Sequence, residues 1–144
     1  MAQNNLPAGT YIIKNASTGT VVDLWAGRAD EGTAVQGFQY HGGDNQKWRL
    51  KWTGKGNQVT LQNVRTGTYI GHSPSGLSGG ARVVGSKTPV PLLLVVADKG
   101  YAMEAADQRA SVLDLCGGSR ANEASIIYYP NNATDNQKWY FEKA

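Results

Sequence analysis

Short apolar runs alternate with short polar, glycine-rich breaks along this chain. No stretch holds a 3.6-residue apolar period over three turns, so helices are not expected. Twelve runs rich in β-branched and aromatic residues read as strands. They are Thr10–Lys14, Val21–Trp25, Ala34–Phe38, Trp48–Trp52, Gln58–Gln62, Tyr69–His72, Ala81–Gly85, Leu92–Val96, Tyr101–Ala105, Val112–Leu115, Ser125–Tyr129 and Trp139–Glu142. The breaks carry hairpin chemistry: Ala16 to Thr20 and Val64 to Thr68 each place a glycine where a tight turn needs positive φ. Thr53 to Gly56 and Asp98 to Gly100 are tight connections rather than linkers, which points to one domain over residues 1–144.

The pattern repeats. Asp44-Asn45-Gln46-Lys47-Trp48 returns as Asp135-Asn136-Gln137-Lys138-Trp139, 91 positions later. At that offset Val21-Val22-Asp23-Leu24 lies on Val112-Leu113-Asp114-Leu115, and Val35, Phe38 and Leu50 lie on Ile126, Tyr129 and Phe141. A third copy sits between them at offset 48, where Asn15, Thr18-Gly19-Thr20, Gly32, Val35 and Gly37 lie on Asn63, Thr66-Gly67-Thr68, Gly80, Val83 and Gly85. In this middle copy Gly71 replaces Asp23, and Leu92 to Val96 fall where the pentapeptide would be. The apolar scaffold survives there and the polar signature does not, so scaffold and site are separable. Three repeats of four strands, at about 8–53, 54–98 and 99–144, predict an all-β closed or capped barrel. Solenoid stacking is the competing repeat architecture, but it usually shows more than three copies.

Composition narrows the function. The net charge is +3, from 14 basic and 11 acidic residues scattered without a run, which argues against nucleic-acid partners and membrane insertion. One cysteine, Cys116, allows no internal disulfide, and with two histidines, His41 and His72, it offers no metal cluster. No cofactor is expected. Met1 to Pro7 carries no apolar signal segment, so the expected location is cytoplasmic.

Two copies of Gln-x-Trp, Gln46-Lys47-Trp48 and Gln137-Lys138-Trp139, each follow an Asn and an Asp about 21 residues upstream. With three four-stranded repeats, this resembles the ricin-B-type lectins, most nearly the small cytosolic lectins of mushrooms. The resemblance covers nearly the whole chain. It implies a β-trefoil with pseudo-threefold symmetry and up to three sugar pockets, one per repeat. It further implies that the Gln and Trp of the motif serve the core, while the upstream Asp, the Asn before Gln-x-Trp and an aromatic on the third strand hold the sugar. The implied ligand is terminal galactose or N-acetylgalactosamine on glycoproteins or glycolipids.

Those residue types suit a sugar. A carboxylate accepts from two vicinal hydroxyls, a carboxamide donates and accepts, and an aromatic face covers C–H bonds. The first repeat holds all three: Asp23, Asn45, and Phe38, Tyr40 or Trp25. Gln36, Gly37, Phe38, Tyr40 and His41 belong to the expected pocket wall. Gly37 is expected to let a ligand approach its backbone, and His41 to offer a ring donor. Asp23 and Asn45 also have competing structural roles, as a carboxylate on backbone N–H groups and a turn residue, but the binding role is the favoured one. The third repeat keeps Asp114, Asn136 and the aromatic Tyr129, a second candidate site. There Tyr128 replaces Gly37 and is expected to crowd the pocket. The second repeat, with Gly71 and Leu93 at the anchor positions, is expected to hold no such site.

Other functions compete. A β-trefoil protease inhibitor would use a protruding loop, Ser73 to Ser78 or Ser86 to Pro89. An enzyme is not expected: glycosidases need two carboxylates flanking one bond, and Asp44, the other acid near Asp23, sits in a turn. One shallow sugar pocket binds weakly, so a homodimer is expected to add avidity.

Overall fold

The computed structural model describes residues 6–72, 80–108 and 110–144. Four strands form in each third of the chain. The first four are β1 (Gly9–Asn15), β2 (Val21–Leu24), β3 (Val35–Phe38) and β4 (Trp48–Trp52). The next are β5 (Gln58–Asn63), β6 (Tyr69–His72), β7 (Val83–Ser86) and β8 (Leu92–Val96). The last are β9 (Tyr101–Ala105), β10 (Ser111–Leu115), β11 (Ala124–Pro130) and β12 (Trp139–Lys143). All twelve expected strands are present, with ends shifted by a few residues. Strand β2 stops at Leu24, one residue early, because Ala26 and Gly27 take positive φ in a single 3-10 turn.

Six strands close a ring. Strand β1 pairs with β4 and β12, β4 with β5, β5 with β8, β8 with β9, and β9 with β12. Closure removes the free edges that would invite aggregation. The other six strands form three hairpins, β2–β3, β6–β7 and β10–β11, which cap the barrel. The cap hairpins join through Gly37–Ala124, Ala34–Val84 and Arg82–Ile127 pairs. This is a β-trefoil.

Alternation along the strands builds the core. On β1, Tyr11, Ile13 and Asn15 turn inward, and on β5, Val59, Leu61 and Asn63 do the same. Trp48, Leu50, Leu94, Met103 and Trp139 fill the centre. Asn15 and Asn63 are buried polar exceptions with a structural task. Asn63 Oδ1 accepts from the N–H groups of Arg65 and Thr66, and its Nδ2 donates to the Asn45 carbonyl at 3.1 Å. Asn15 repeats this, reaching the Asn136 carbonyl at 3.0 Å. Each ties its own hairpin turn to a pentapeptide. Asn63→Ala is therefore expected to cost about 2–3 kcal/mol, since it strands several buried polar groups. Urea denaturation checks this, and a cost below about 0.5 kcal/mol would remove that role.

One sequence expectation needs correction. The 48-residue offset of the middle copy holds only through β7. The Pro91 carbonyl accepts from Ala106 N–H as Lys47 does from Val64 and Lys138 from Ala16, which puts Leu92, not Val96, in the place of Trp48. The pentapeptide's counterpart is thus 88–92, and Leu92–Val96 is the strand that follows it. Four residues are missing between β7 and β8 relative to the first repeat.

Candidate functional site

In the first repeat, Asp23 lies mid-strand on β2, with its side chain turned toward a cavity of about 330 Å³. Only 2% of the residue is exposed. Its Oδ1 accepts from Gln36 Nε2 at 3.0 Å, and its Oδ2 accepts from Gln46 Nε2 at 2.9 Å and Asn45 Nδ2 at 3.3 Å. Burial pushes its pKa above the ordinary value, opposed by the hydrogen bonds of Gln46 and Gln36, the His41 ring, and the Asn45 hydrogen bond. Each carboxylate oxygen has about two lone-pair sites, so Oδ1 keeps one for a further donor.

The pentapeptide does two things at once. Its Asp44–Gln46 portion makes one 3-10 turn that folds back over β2. Gln46 is fully buried: its Nε2 also donates to the Gln39 carbonyl, and its Oε1 accepts from His41 N–H. Trp48 Nε1 donates to the Val22 carbonyl at 3.0 Å. These two groups lock the turn to the strand. Asn45 Nδ2 is spent on Asp23 and the Leu24 carbonyl, at 3.0 Å for the latter. Its Oδ1 is thereby set as an acceptor beside the cavity.

His41 completes the polar edge. Its Nδ1 accepts from Gly43 N–H at 3.0 Å, so in the neutral ring the proton sits on Nε2, 3.7 Å from Asp23 Oδ2. Phe38 meets the His41 ring edge-on at 5.7 Å between centroids. Trp25, 42% exposed, stands on the rim.

The structure gathers Asp23, Gln36, Phe38, His41 and Asn45 around this one cavity, with Trp25, Ala26 and Glu123. Two expected wall residues are not among its lining. Gly37 alternates with Gln36 and Phe38 and so faces the other way: a Cβ there would lie 2.8 Å from Leu115 Cδ1. Its lack of a side chain serves cap packing, not ligand approach. Tyr40 is exposed, with its ring beside Gly42 rather than over Asp23. Glu123 is a residue the sequence reading missed. Asp44 points outward and pairs with Lys47 Nζ at 3.2 Å, so it does not share the cavity with Asp23.

The third repeat rebuilds the frame. Asp114 Oδ2 accepts from Gln137 Nε2 at 2.8 Å, its Oδ1 from Asn136 Nδ2 at 3.2 Å, and Trp139 Nε1 donates to the Leu113 carbonyl. Burial raises the pKa of Asp114 as well, opposed by the Gln137 hydrogen bond. A cavity of about 340 Å³ opens beside Asp114, Cys116, Ile127, Tyr129, Asn132 and Asn136. Tyr128 does not crowd it. That side chain turns into the cap, where it is 1% exposed and its hydroxyl donates to the Gly71 carbonyl. The wall is nevertheless poorer: Ile127 takes the place of Gln36, and Cys116 that of Trp25. Asn136 Oδ1 is also engaged by the Thr134 hydroxyl at 2.5 Å.

The second repeat is plugged. Gly71 stands in the place of Asp23, and a Cβ on it would lie 3.0 Å from Val90 Cγ2, the side chain in the place of Gln46. Val84 replaces Gln36. An apolar contact fills the volume that elsewhere holds the carboxylate and its donors. Of the two loops considered for protease inhibition, Ser73 to Ser78 lies outside the described residues. Ser86 to Pro89 leads into the plug, with Lys87 N–H donating to Glu31 Oε1 and Thr88 N–H to Ser86 Oγ. A further cavity of about 390 Å³ lies by Val96, Asp98 and Lys138, but its charges satisfy one another, with Lys138 Nζ 2.7 Å from Asp98 and 3.1 Å from Asp135.

A trefoil with two carboxylate–carboxamide pockets behind Gln-x-Trp turns is the architecture of a sugar-binding module. The comparisons agree. The family model of the ricin-type β-trefoil lectin domain matches residues 3–85 and 44–129. The chain is 65% identical to the Rhizoctonia solani agglutinin, covering 99% of this chain and all of that one, with a TM-score of 0.94. It is 25% identical to the Macrolepiota procera ricin B-like lectin solved with lactose, covering 98% and 100% of the two chains at a TM-score of 0.87. A designed threefold-symmetric protein, ThreeFoil, matches at 26% identity and a TM-score of 0.89, over 94% of this chain and 99% of that one. The chain belongs to the ricin-type β-trefoil lectin family and is a carbohydrate-binding lectin of the small fungal kind.

Proposed function

We propose that this lectin binds terminal galactose or N-acetylgalactosamine on glycoproteins or glycolipids, without catalysis, chiefly through the first repeat. The observation that carries the reading is the convergence of the Asp23 carboxylate, the Asn45 carboxamide oxygen and the His41 Nε2–H on one cavity walled by Phe38. Galactose presents a cis pair of hydroxyls at C3 and C4. Asp23 Oδ1 can accept from one of them and the Asn45 carboxamide oxygen from the other, and the C–H face below them suits an aromatic ring. Lactose, found with the Macrolepiota procera relative, ends in galactose.

The third repeat is proposed as a second, weaker site around Asp114, Tyr129 and Asn136. Two pockets on one chain allow bridging of glycans, and a homodimer would add to it. A doubled mass in light scattering tests the dimer. Titration calorimetry with galactose, N-acetylgalactosamine and glucose tests the sugar. Two sites per chain are expected for the first two ligands and none for glucose, with Asp114→Ala lowering the count to one. Equal binding of glucose and galactose, or no binding of any, would overturn the reading.

A further inference from the structure

Three residues related by the threefold carry one backbone duty each. Gly32 N–H donates to the Gly85 carbonyl at 2.8 Å, Gly80 N–H to the Tyr128 carbonyl at 3.1 Å, and Glu123 N–H to the Gly37 carbonyl at 2.9 Å. Each ties its own repeat to the third strand of another. All three are left-handed, with φ of 87°, 81° and 66°. Two of them are glycine, which adopts that conformation freely, whereas the third is a glutamate, for which it is strained. Ala26 and Ala133 are the other non-glycine residues with positive φ among the described residues, and each presents only a methyl group.

Glu123 instead places an acidic residue in the lining of the first-repeat cavity, with Asp23, Phe38 and His41. Its backbone is held from both sides. Ala124 and Ser125 pair with Gly37 and Gln36, and Asn122 Oδ1 accepts from Gln39 N–H at 2.9 Å. At the third-repeat cavity the corresponding residue is Gly80, and the described lining there holds one carboxylate, Asp114. The two cavities therefore differ in charge. The lining of the first-repeat cavity includes two acidic residues, Asp23 and Glu123, and no lysine or arginine.

We propose that Glu123 is a specificity-determining residue, supplied by the third repeat to the first-repeat site, that makes this site select galactosides by charge. It favours neutral and cationic sugars and rejects anionic ones, a bias the third-repeat site has to a smaller degree. The proposal rests on the reading of the first-repeat cavity as a galactose site.

The test uses the full chain carrying Asp114→Ala, so that only the first site is open, and three monosaccharides, two of which place a charge inside the pocket itself. These are galactosamine in its protonated form, galactose and galacturonate. A unit charge about 6 Å from a carboxylate in a water-like medium changes affinity about threefold. The chain with Glu123 should bind in the order galactosamine, galactose, galacturonate. Adding Glu123→Gln should shrink the ratio between the two charged sugars about tenfold, leaving galactose within about threefold of its starting affinity. Added salt should compress the ratio only while Glu123 is present. Glu123→Gly restores the residue of the other repeats, so it should shrink the ratio likewise and raise the melting temperature. A ratio unmoved by Glu123→Gln overturns the proposal. A lower melting temperature in Glu123→Gly would show the glutamate serving the fold and would overturn it too. Absence of galactose binding in the Asp114→Ala chain would remove the galactose reading itself.

Discussion

A chain carrying Asp23→Ala together with Asp114→Ala is expected to lose lactose binding by about 100-fold or more relative to Asp114→Ala alone. A hydrogen bond to a charged acceptor contributes about 1.5–3 kcal/mol, and the alanine removes the one that the free lone pair of Asp23 Oδ1 offers a bound galactose. The carboxylate is also the hub on which Gln36, Gln46 and Asn45 converge, so its removal loosens the other contacts. Calorimetry of both chains measures the difference, and a loss under tenfold would move the site away from Asp23. The same residue sets a pH dependence. Burial raises its pKa, so on acidification it takes up a proton sooner than an ordinary carboxylate, and binding should weaken above the usual carboxylate range. The effect on stability has the opposite sign. A folded pKa above the unfolded one means the folded state binds the proton more tightly, so Asp23 costs stability when ionised. That cost is relieved as pH falls from the raised value to the ordinary one. Binding should therefore fade in a window where Asp23 does not promote unfolding. Circular dichroism alongside the binding titration separates the two, and coincident loss of fold and binding would contradict this account.

Trp48→Ala is expected to destabilise the fold by about 3–5 kcal/mol, although the indole is not part of the site's lining. The side chain is fully buried at the barrel centre, and its Nε1–H is the partner of the Val22 carbonyl, one residue before Asp23. The alanine leaves a large cavity and an unpaired buried carbonyl. Most small domains have only about 5–15 kcal/mol in total, so this variant should be partly unfolded at body temperature. Urea denaturation checks it. A destabilisation under about 1 kcal/mol would mean that the middle repeat's solution, Leu92 at this position, transfers directly to the first.

Much of the candidate site was legible because its polar residues recur. Asp23 with Asn45, and Asp114 with Asn136, stand at one offset, and their loss in the middle copy marked them as dispensable for folding. Gly37 was misread for a physical reason. A glycine in a strand signals a close approach but not from which side, and here the approaching atom is Leu115 Cδ1 across the cap. Tyr128 was misread with it, since the two occupy related positions on one strand face. Tyr40 carries a ring that a linear reading can only place near the pocket, whereas the turn at Gly42 and Gly43 directs it outward.

The sequence by itself determined the twelve strands, their grouping in three sets of four, and the recurring Asp and Asn of each candidate site. Those follow from alternation and repetition, which are local or periodic properties of a chain. The tertiary structure alone decided which face of each strand looks into a cavity, where the middle copy's gap falls, and that the third repeat lends Glu123 to the first. These depend on barrel closure and on contacts between repeats about 90 residues apart, and spacing along a chain carries no record of which repeat leans on which.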